Sequence, residues 1–146
     1  MATVSVTRLK LRSWRFFPAF VWHAVRSARQ ARAAFGCLGV ELRHHDGAWW
    51  TLTAWRDAAA MRGFMLSGDH RTAMPRLTNW CDEAAVARFE PNGDEMPSWE
   101  VAEDVLMRQG RTSSLRHPSP AQAEGLTLGE AGRARGGPYA QPPANI

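Results

Sequence analysis

Residues 44–66 read HHDGAWWTLTAWRDAAAMRGFML, and this stretch decides the fold because it contains a turn, a strand and the start of a helix. Asp46-Gly47 is a strong hairpin signal, since a type I′ turn needs positive φ at both central residues. The strand that returns from this turn has large apolar side chains on both faces, whereas a half-exposed antiparallel strand has them on one. They are Trp49 and Trp55 on one face, and Trp50 and Leu52 on the other. Both faces of the sheet are therefore expected to be covered.

A strand and a long helix are predicted before the hairpin. Residues 4–11 alternate between apolar and polar side chains, as a strand does. The alternation shifts phase near Thr7–Arg8, which indicates either a bulge or burial on both faces. Residues 17–35 repeat apolar side chains at the spacing of an amphipathic helix, and Gly36 stands where a helix C-cap glycine belongs.

Two helical segments and a last strand are predicted after the hairpin. Asp57 is expected to cap a helix over 58–66, and Asp69 is expected to cap the next. A closing strand is expected over 85–90. The resulting order βαββαβ predicts a ferredoxin-like α+β plait with a core over 3–90. Because its helices cover one face of the sheet, a second copy of the chain is expected to cover the other face, giving a homodimer.

The C-terminal part of the chain divides into an added helix and a tail. Ser98 is expected to cap a helix over about 98–109, so that the domain extends over 1–118. From 119 to 146 the sequence is rich in Ser, Pro, Gly and Ala and has almost no large apolar side chains. Such a segment cannot bury enough apolar surface to fold, and a disordered tail is predicted.

Charge and composition limit the possible partners. The chain has 146 residues and a net charge of +4, which suits one basic domain. Its first 40 residues contain no Asp or Glu. The basic residues there are scattered and accompany no nucleic-acid motif, so no nucleic-acid partner is expected. The weaker alternative is that Arg26, Arg29 and Arg32 on the first helix dock on a membrane or a nucleic acid.

The cysteines and the hydropathy of the chain indicate in which cellular compartment the protein is expected. Cys37 and Cys81 lie in no zinc or disulfide pattern, which favours a cytoplasmic, reducing environment. No apolar run approaches the roughly 18 residues of a membrane span. We therefore expect a cytoplasmic protein with no transmembrane segment.

Four segments resemble a known superfamily. They are VTRLKLRSWRFFPAF (6–20), WTLTAWRDAAAMRGFMLSGDHRTAMPRL (50–77), NWCDEA (79–84) and PSWEVAEDVLMRQGR (97–111). Together they resemble a bacterial family of the dimeric α+β-barrel superfamily, which contains antibiotic-biosynthesis monooxygenases, haem-degrading monooxygenases and spheroidene-monooxygenase-like proteins. The resemblance covers roughly 3–120 and implies a dimeric α+β barrel. It implies no single activity, because members range from oxygenases to proteins of unknown role.

The resemblance argues against haem degradation. The haem-degrading enzymes use an Asn on the first strand, a Trp on the second helix and a later His. Here Phe64 stands at the Trp position, Met74 at the His position, and the first strand offers no Asn. Haem as a bound cofactor stays open, through His70 or Met74 but not both, because the two share one helix face at i, i+4.

His70 is the candidate catalytic residue. It lies in the first turn of a predicted helix, where the helix dipole disfavours the imidazolium, so a neutral His that accepts a proton is expected. The alternative is a partly exposed His bonded to water or to nearby backbone. In a cofactor-free oxygenase, His70 would generate an enolate-like anion that reacts directly with oxygen.

An aromatic-walled cavity is expected to hold an apolar cyclic or polyene ligand. Its predicted lining consists of Trp50, Trp55, Phe64, Met74, Phe20 and His23. Arg12 or Arg15 is expected to hold an anionic group at the mouth. The leading hypothesis is a monooxygenase-like enzyme, and the alternative is a non-catalytic ligand-binding or accessory dimer. No metal site is predicted, because His44 and His45 are adjacent on a strand and point to opposite faces.

Overall fold

A computed structural model describes residues 2–93 and 95–134. The elements are β1 (Thr3–Leu11), a short 3-10 helix (Trp14–Phe16), α1 (Phe17–Ala33), β2 (Cys37–His45), β3 (Ala48–Trp55), α2 (Ala58–Met65), α3 (Gly68–Trp80), β4 (Cys81–Phe89), α4 (Trp99–Gln109), β5 (Arg111–Thr112), α5 (Pro120–Ala123) and α6 (Glu130–Ala134). The strands form one antiparallel sheet in the order β2-β3-β1-β4-β5. The predicted α+β, ferredoxin-like βαββαβ core and its added helix, α4, are confirmed.

Local sequence signals account for the turns and strands. Asp46 has φ 50° and Gly47 has φ 72°, as a type I′ hairpin turn requires. The side chain of Asp57 accepts a hydrogen bond from Ala60 N at 2.8 Å and caps α2. The register shift in β1 lies at Lys10/Leu11 against β4. The phase change expected near Thr7–Arg8 therefore reflects burial on both faces of β1, not a bulge.

The two faces of the sheet are covered by different parts of the same chain. Helices α1, α2 and α3 cover one face. On the other face, α4 packs its buried Ala102 and Leu106 against the strands. The strand side chains in this second core include Val4, Val6, Trp50, Leu52, Ala85 and Ala87. The expectation that a second copy covers this face is therefore wrong, because α4 lies there. Homodimer formation stays a prediction without that support.

The segment predicted as a disordered tail is folded over its first part. Leu126 and Leu128 are buried, and the Thr127 hydroxyl donates to Leu106 O at 3.0 Å at the end of α4. The buried Gln122 amide donates to Ala84 O and accepts from Ala84 N, both at 3.0 Å. The prediction of disorder is wrong over 119–134. The few apolar side chains of this segment are enough to order it because they pack on the folded domain, and the Gln122 amide bonds to the backbone of β4. Residues 135–146 lie outside the described residues.

A buried ion pair joins the first and fourth strands. Arg8 Nη1 lies 2.9 Å from Glu83 Oε1, and both side chains are 5% exposed. Lys10 Nζ lies 3.3 Å from the other carboxylate oxygen. Gly129, at φ 64°, packs over this pair, and a Cβ there would collide with Glu83 Oε1. The C-terminal segment thus excludes water from the pair. No helix in the described residues is long and apolar enough to cross a membrane.

Candidate functional site

A cavity of about 220 Å³ lies between the sheet and the helices α1, α2 and α3. Its helical lining is Phe20, His23, Ala24, Ser27, Ala28 and Ala31 of α1, Met61, Phe64 and Met65 of α2, and His70, Ala73, Met74, Leu77 and Thr78 of α3. Ser113, Ser114 and Leu115, which follow β5, also line it. Met74 is 45% exposed, so the cavity reaches the surface beside α3.

Four hydroxyl side chains form the centre of the cavity floor. Ser5 pairs with Thr53 and Thr7 pairs with Thr51 in the register of β1 and β3. The same strands carry valine, tryptophan and leucine on their opposite face. Small side chains on this face do not reach the helices, and the cavity is the space that they leave. We call these four residues the hydroxyl floor.

Three rings in contact form one wall. The ring centroids of Trp55 and Phe64 are 5.0 Å apart at 24°. The Phe64 and His70 centroids are 4.6 Å apart at 51°. Trp55 is fully buried, and its Nε1 donates to Thr53 Oγ1 at 3.0 Å, which satisfies the indole N–H. The wall is therefore rigid up to His70, the one ring in it that can exchange a proton.

His70 is held in one neutral form. Its Nδ1 lies 3.3 Å from Met65 O, so the Nδ1–H tautomer donates there and leaves Nε2 as an acceptor. Burial lowers the pKa of His70 below its ordinary 6.5, the hydrogen bond to Met65 opposes this, and the positive charge of Arg88 lowers it further. Within the described part of the chain, Nε2 makes no hydrogen bond. His70 is thus an uncharged base on the cavity wall.

Gln30 of α1 fixes the start of the helix that carries His70. Its Oε1 accepts from His70 N at 2.8 Å, and its Nε2 donates to Ser67 O at 2.7 Å. Ser67 is the N-cap residue of α3, yet its side chain makes no capping bond. Asp69, which was expected to cap this helix, lies within its first turn. Gln30 therefore acts as the cap from a neighbouring helix, and a Cβ on Gly68 would press on its carboxamide at 3.1 Å.

The structure separates the predicted lining residues into two groups. The cavity is lined by Phe20, His23, Trp55, Phe64, His70 and Met74. Trp50 is not among its lining residues. It is 2% exposed on the opposite face, where the Arg43 guanidinium lies 5.0 Å from its ring centroid. Strand alternation places Trp50 and Trp55 on opposite faces of β3, so the two could not both line one cavity.

The arginine of the cavity differs from the one that was expected. Arg12 donates to Asn79 O at 2.6 Å and lies over the Phe16 ring, and Arg15 lies over the same ring. Neither lines the cavity. Arg88 of β4 does line it, and this residue pairs with Ser5 of β1, which belongs to the hydroxyl floor. Alternation along β4 shows which residues share a face with Arg88, but only the pairing of β4 with β1 shows that this face is the cavity face.

Three other histidines lie in separate environments. His23 has a buried Nδ1 with no hydrogen-bond partner among the described residues. His44 lies 4.7 Å from Trp49, measured between ring centroids, on the cavity face of the sheet. His45 lies on the other face, and its Nε2 is 3.1 Å from Asp46 Oδ2. The ligand atoms of His45, Asp46 and Glu103 come within 4.8 Å of one another.

That last cluster is poorly suited to a cation. Arg43 Nη2 lies 3.2 Å from Glu103 Oε2, so a guanidinium already engages the carboxylate and its charge opposes a second positive ion. Sequence reasoning did not find the cluster because Glu103 comes from α4.

Haem does not fit the cavity either. About 220 Å³ is below the ~300–1,000 Å³ of sites for drug-sized ligands, and the macrocycle exceeds that size.

Comparison with known proteins places the fold. No protein-family model and no curated protein matches the chain. Solved structures show that its fold is that of the antibiotic-biosynthesis-monooxygenase-like α+β proteins, which confirms the expected resemblance at the level of the fold.

The individual matches are distant in sequence. Rv0793 from Mycobacterium tuberculosis has a TM-score of 0.59 at 16% identity, over 64% of this chain and 97% of that one. SnoaB from Streptomyces nogalater, described as a cofactor-independent oxygenase, has a TM-score of 0.54 at 15% identity, over 66% and 98%. A putative antibiotic biosynthesis monooxygenase from Nitrosomonas europaea has a TM-score of 0.57 at 9% identity, over 62% and 90%.

Proposed function

We propose that this protein is a small oxygenase that uses His70 as a base to oxidise an enolisable cyclic substrate with molecular oxygen. The observation that carries the proposal is the neutral His70, with its Nε2 free of hydrogen bonds to the described residues, on the wall of an apolar cavity. A desolvated base that is uncharged at neutral pH suits proton abstraction. The description of SnoaB as a cofactor-independent oxygenase on the same fold supports this reaction class by analogy.

The cavity size favours a compact ring system over a polyene. About 220 Å³ is less than the ~300 Å³ at the lower end of sites for drug-sized ligands. A long polyene would leave most of its length outside. The stacked wall of Trp55 and Phe64 offers a flat apolar surface to a ring face, and the hydroxyl floor offers hydrogen bonds to a ring oxygen.

The reaction can be written for a ring substrate whose methylene group is activated by a carbonyl, either directly or through an aromatic ring. Nε2 of His70 takes one C–H proton, and the enolate that forms transfers an electron to oxygen. The two radicals combine into a C–O bond, and the imidazolium returns its proton to the peroxide. Breaking the O–O bond then converts the carbon to a carbonyl as its second C–H proton leaves with hydroxide as water. One oxygen atom enters the product, and the substrate's C–H bonds supply all the electrons.

Charged and polar groups around His70 support the enolate. Arg88 lies on the cavity wall and supplies a positive charge near the developing anion. The hydroxyl floor presents donors to the enolate oxygen, and Ser5 of that floor pairs directly with Arg88. The site thus contains a base, an anion-stabilising charge and an apolar aromatic wall.

Oxygen uptake tests the proposal. Purified protein is mixed with 2-tetralone or anthrone, oxygen consumption is followed, and incorporation is measured with ¹⁸O₂. His70→Gln is expected to lower the enzyme-dependent rate about a hundredfold or more, the usual contribution of a general base. The control is Thr72→Ala, an exposed position on the same helix. Uptake that is unchanged in His70→Gln would refute the role of His70.

The same assay distinguishes the alternative function. Ligand binding can be followed by quenching of Trp55 fluorescence, because that ring forms the cavity wall. Binding of the probes without oxygen uptake by the parent protein would favour a non-catalytic ligand-binding protein. If the parent protein shows no binding and no oxygen uptake, both functions proposed for the cavity are refuted.

A further inference from the structure

The outer face of α1 carries an exposed stripe of aromatic and basic side chains. Trp14 is 86% exposed, Trp22 61% and Val25 42%. Their spacing places them on one side of α1 and of the 3-10 helix that leads into it. We define the α1 stripe as Trp14, Pro18, Trp22, Val25, Arg26 and Arg29, all of which are exposed. Exposed tryptophans in a row are unusual on a monomeric surface and indicate an interaction site.

The helical layer that contains the stripe is strongly basic. Arg26 pairs with Asp69 at 3.0 Å, and the described residues offer Arg29 no ion pair. Arg71 and Arg76 are exposed on α3, which packs beside α1. The acidic side chains of α4 lie across the sheet, on the opposite layer; they are Glu100, Glu103 and Asp104. The molecule therefore presents its positive charge on the side that carries the tryptophans.

We propose that the α1 stripe docks on a membrane surface that contains anionic lipid. Tryptophan favours the membrane–water interface because its ring is apolar and its N–H is polar. Arginine neutralises anionic head groups, and each one near the surface strengthens binding about fivefold. A second copy docked through the same face would set its arginines against identical arginines, since the first 40 residues supply no acid to pair with them. A nucleic acid would engage the arginines and leave Val25 without an apolar environment.

The docking surface and the cavity open on the same layer. Met74 of α3 both lines the cavity and is exposed. Contacts from Arg26 to Asp69 at 3.0 Å and from Arg76 to His23 at 3.5 Å join α1 to α3. A docked molecule thus holds the mouth of its cavity near the lipid, where an apolar cyclic compound accumulates. This link to substrate rests on the proposed function, whereas docking itself does not.

Vesicle flotation of the full chain tests the docking. We expect binding to vesicles of phosphatidylcholine mixed with phosphatidylglycerol and at least about fivefold weaker binding to phosphatidylcholine alone. Brominated lipid should quench tryptophan fluorescence, and Trp22→Ser should lower that quenching. Arg29→Glu should weaken binding to the anionic vesicles at least about fivefold. The charge-matched control is Arg111→Glu, at an exposed position on the edge strand β5, with little expected effect.

Several results would overturn the proposal. Equal binding to both kinds of vesicle would do so, and so would equal losses in Arg29→Glu and Arg111→Glu, because adsorption would then not involve the stripe. Stripe-dependent dimers in sedimentation equilibrium, or stripe-dependent binding to a DNA oligonucleotide, without vesicle binding would assign the surface to those partners instead. His70→Gln must leave vesicle binding unchanged, so a failure of docking and a failure of the proposed chemistry are distinguishable.

Discussion

Replacing Gln30 tests whether the helix that carries His70 is capped from outside. By sequence position Ser67 is the N-cap residue of α3, and an N-cap Ser→Ala change usually costs about 1 kcal/mol. The structure predicts a different outcome, because the His70 amide is capped by Gln30 and the Ser67 hydroxyl donates back to Gly63 O at 2.9 Å. Back-bonding of this kind at an exposed site contributes little. Ser67→Ala should therefore cost less than about 0.5 kcal/mol.

The cost of Gln30→Met follows from the bonds that it removes. Methionine keeps the length of the side chain but removes the bonds to the His70 N–H and the Ser67 carbonyl, which measure 2.8 and 2.7 Å. The Ser67 carbonyl still accepts from Arg71 N at 3.3 Å, so the main loss is at the His70 N–H. A lost cap costs about 1 kcal/mol, and the second hydrogen bond, which is exposed and whose acceptor keeps another donor, adds about 0.5 kcal/mol or less, the lower end of hydrogen-bond contributions. We expect a total of about 1–1.5 kcal/mol. Gln30→Glu keeps the acceptor for His70 and should cost less.

Urea unfolding of the three variants provides the measurement, with equal m-values as the condition for comparing them. The pKa of His70, followed by NMR, is the second readout. Release of the helix start in Gln30→Met should relax the ring and raise this pKa toward its ordinary 6.5. If Ser67→Ala costs as much as Gln30→Met, or if the His70 pKa does not move, the capping role assigned to Gln30 is refuted.

Three further predictions concern buried groups. The pKa of His70 is lowered in the folded state, so the unfolded chain binds a proton at this residue more readily. The free energy of unfolding should therefore fall as the pH drops through 6.5. Thermal unfolding measured over a series of pH values should show a weaker pH dependence in His70→Gln. Arg8→Met leaves the buried Glu83 carboxylate with Lys10 as an ionic partner and should cost about 3 kcal/mol, the lower end of the range for breaking a buried pair. Much of this cost should be recovered in the double variant Arg8→Met/Glu83→Leu, and a double variant that loses as much stability as Arg8→Met alone would count against a buried pair. Burial raises the pKa of Cys81 to about 12, with the Asp82 carboxylate adding to the effect, so a thiol reagent should label Cys37 first and Cys81 only on unfolding; equally fast labelling would contradict this.

The sequence was sufficient for most of the fold because its elements carry strong local signals. The turn at Asp46-Gly47 and the amphipathic pattern of α1 both appear where they were predicted. The position of α4 was not predictable in the same way. Its length and cap could be read, but the surface that it covers depends on contacts between Leu106 and strands far along the chain. Non-local packing of this kind has no periodic signature.

The cavity was predictable in its aromatic part and missed in its polar part. Large rings such as Trp55 and Phe64 attract attention in a sequence, whereas Ser5 and Thr51 look like ordinary strand residues. Their role appears only when the register of β1 and β3 brings four hydroxyls together. Gln30 was missed for a similar reason, because a glutamine on a helix carries no signal that it caps another helix 40 residues later.

The alternation of β3 ties the cavity to the C-terminal segment. One face of this strand has threonines at 51 and 53, whose small size leaves the cavity open toward the helices. The other face has Trp50 and Leu52, whose apolar surface must be covered and is covered by α4. Since β5 and the lining residues after it follow α4 directly, the helix that buries one face also delivers Ser113 to the rim of the cavity on the other. A change that loosens α4 should therefore alter the cavity through the chain connection, although α4 itself does not line it.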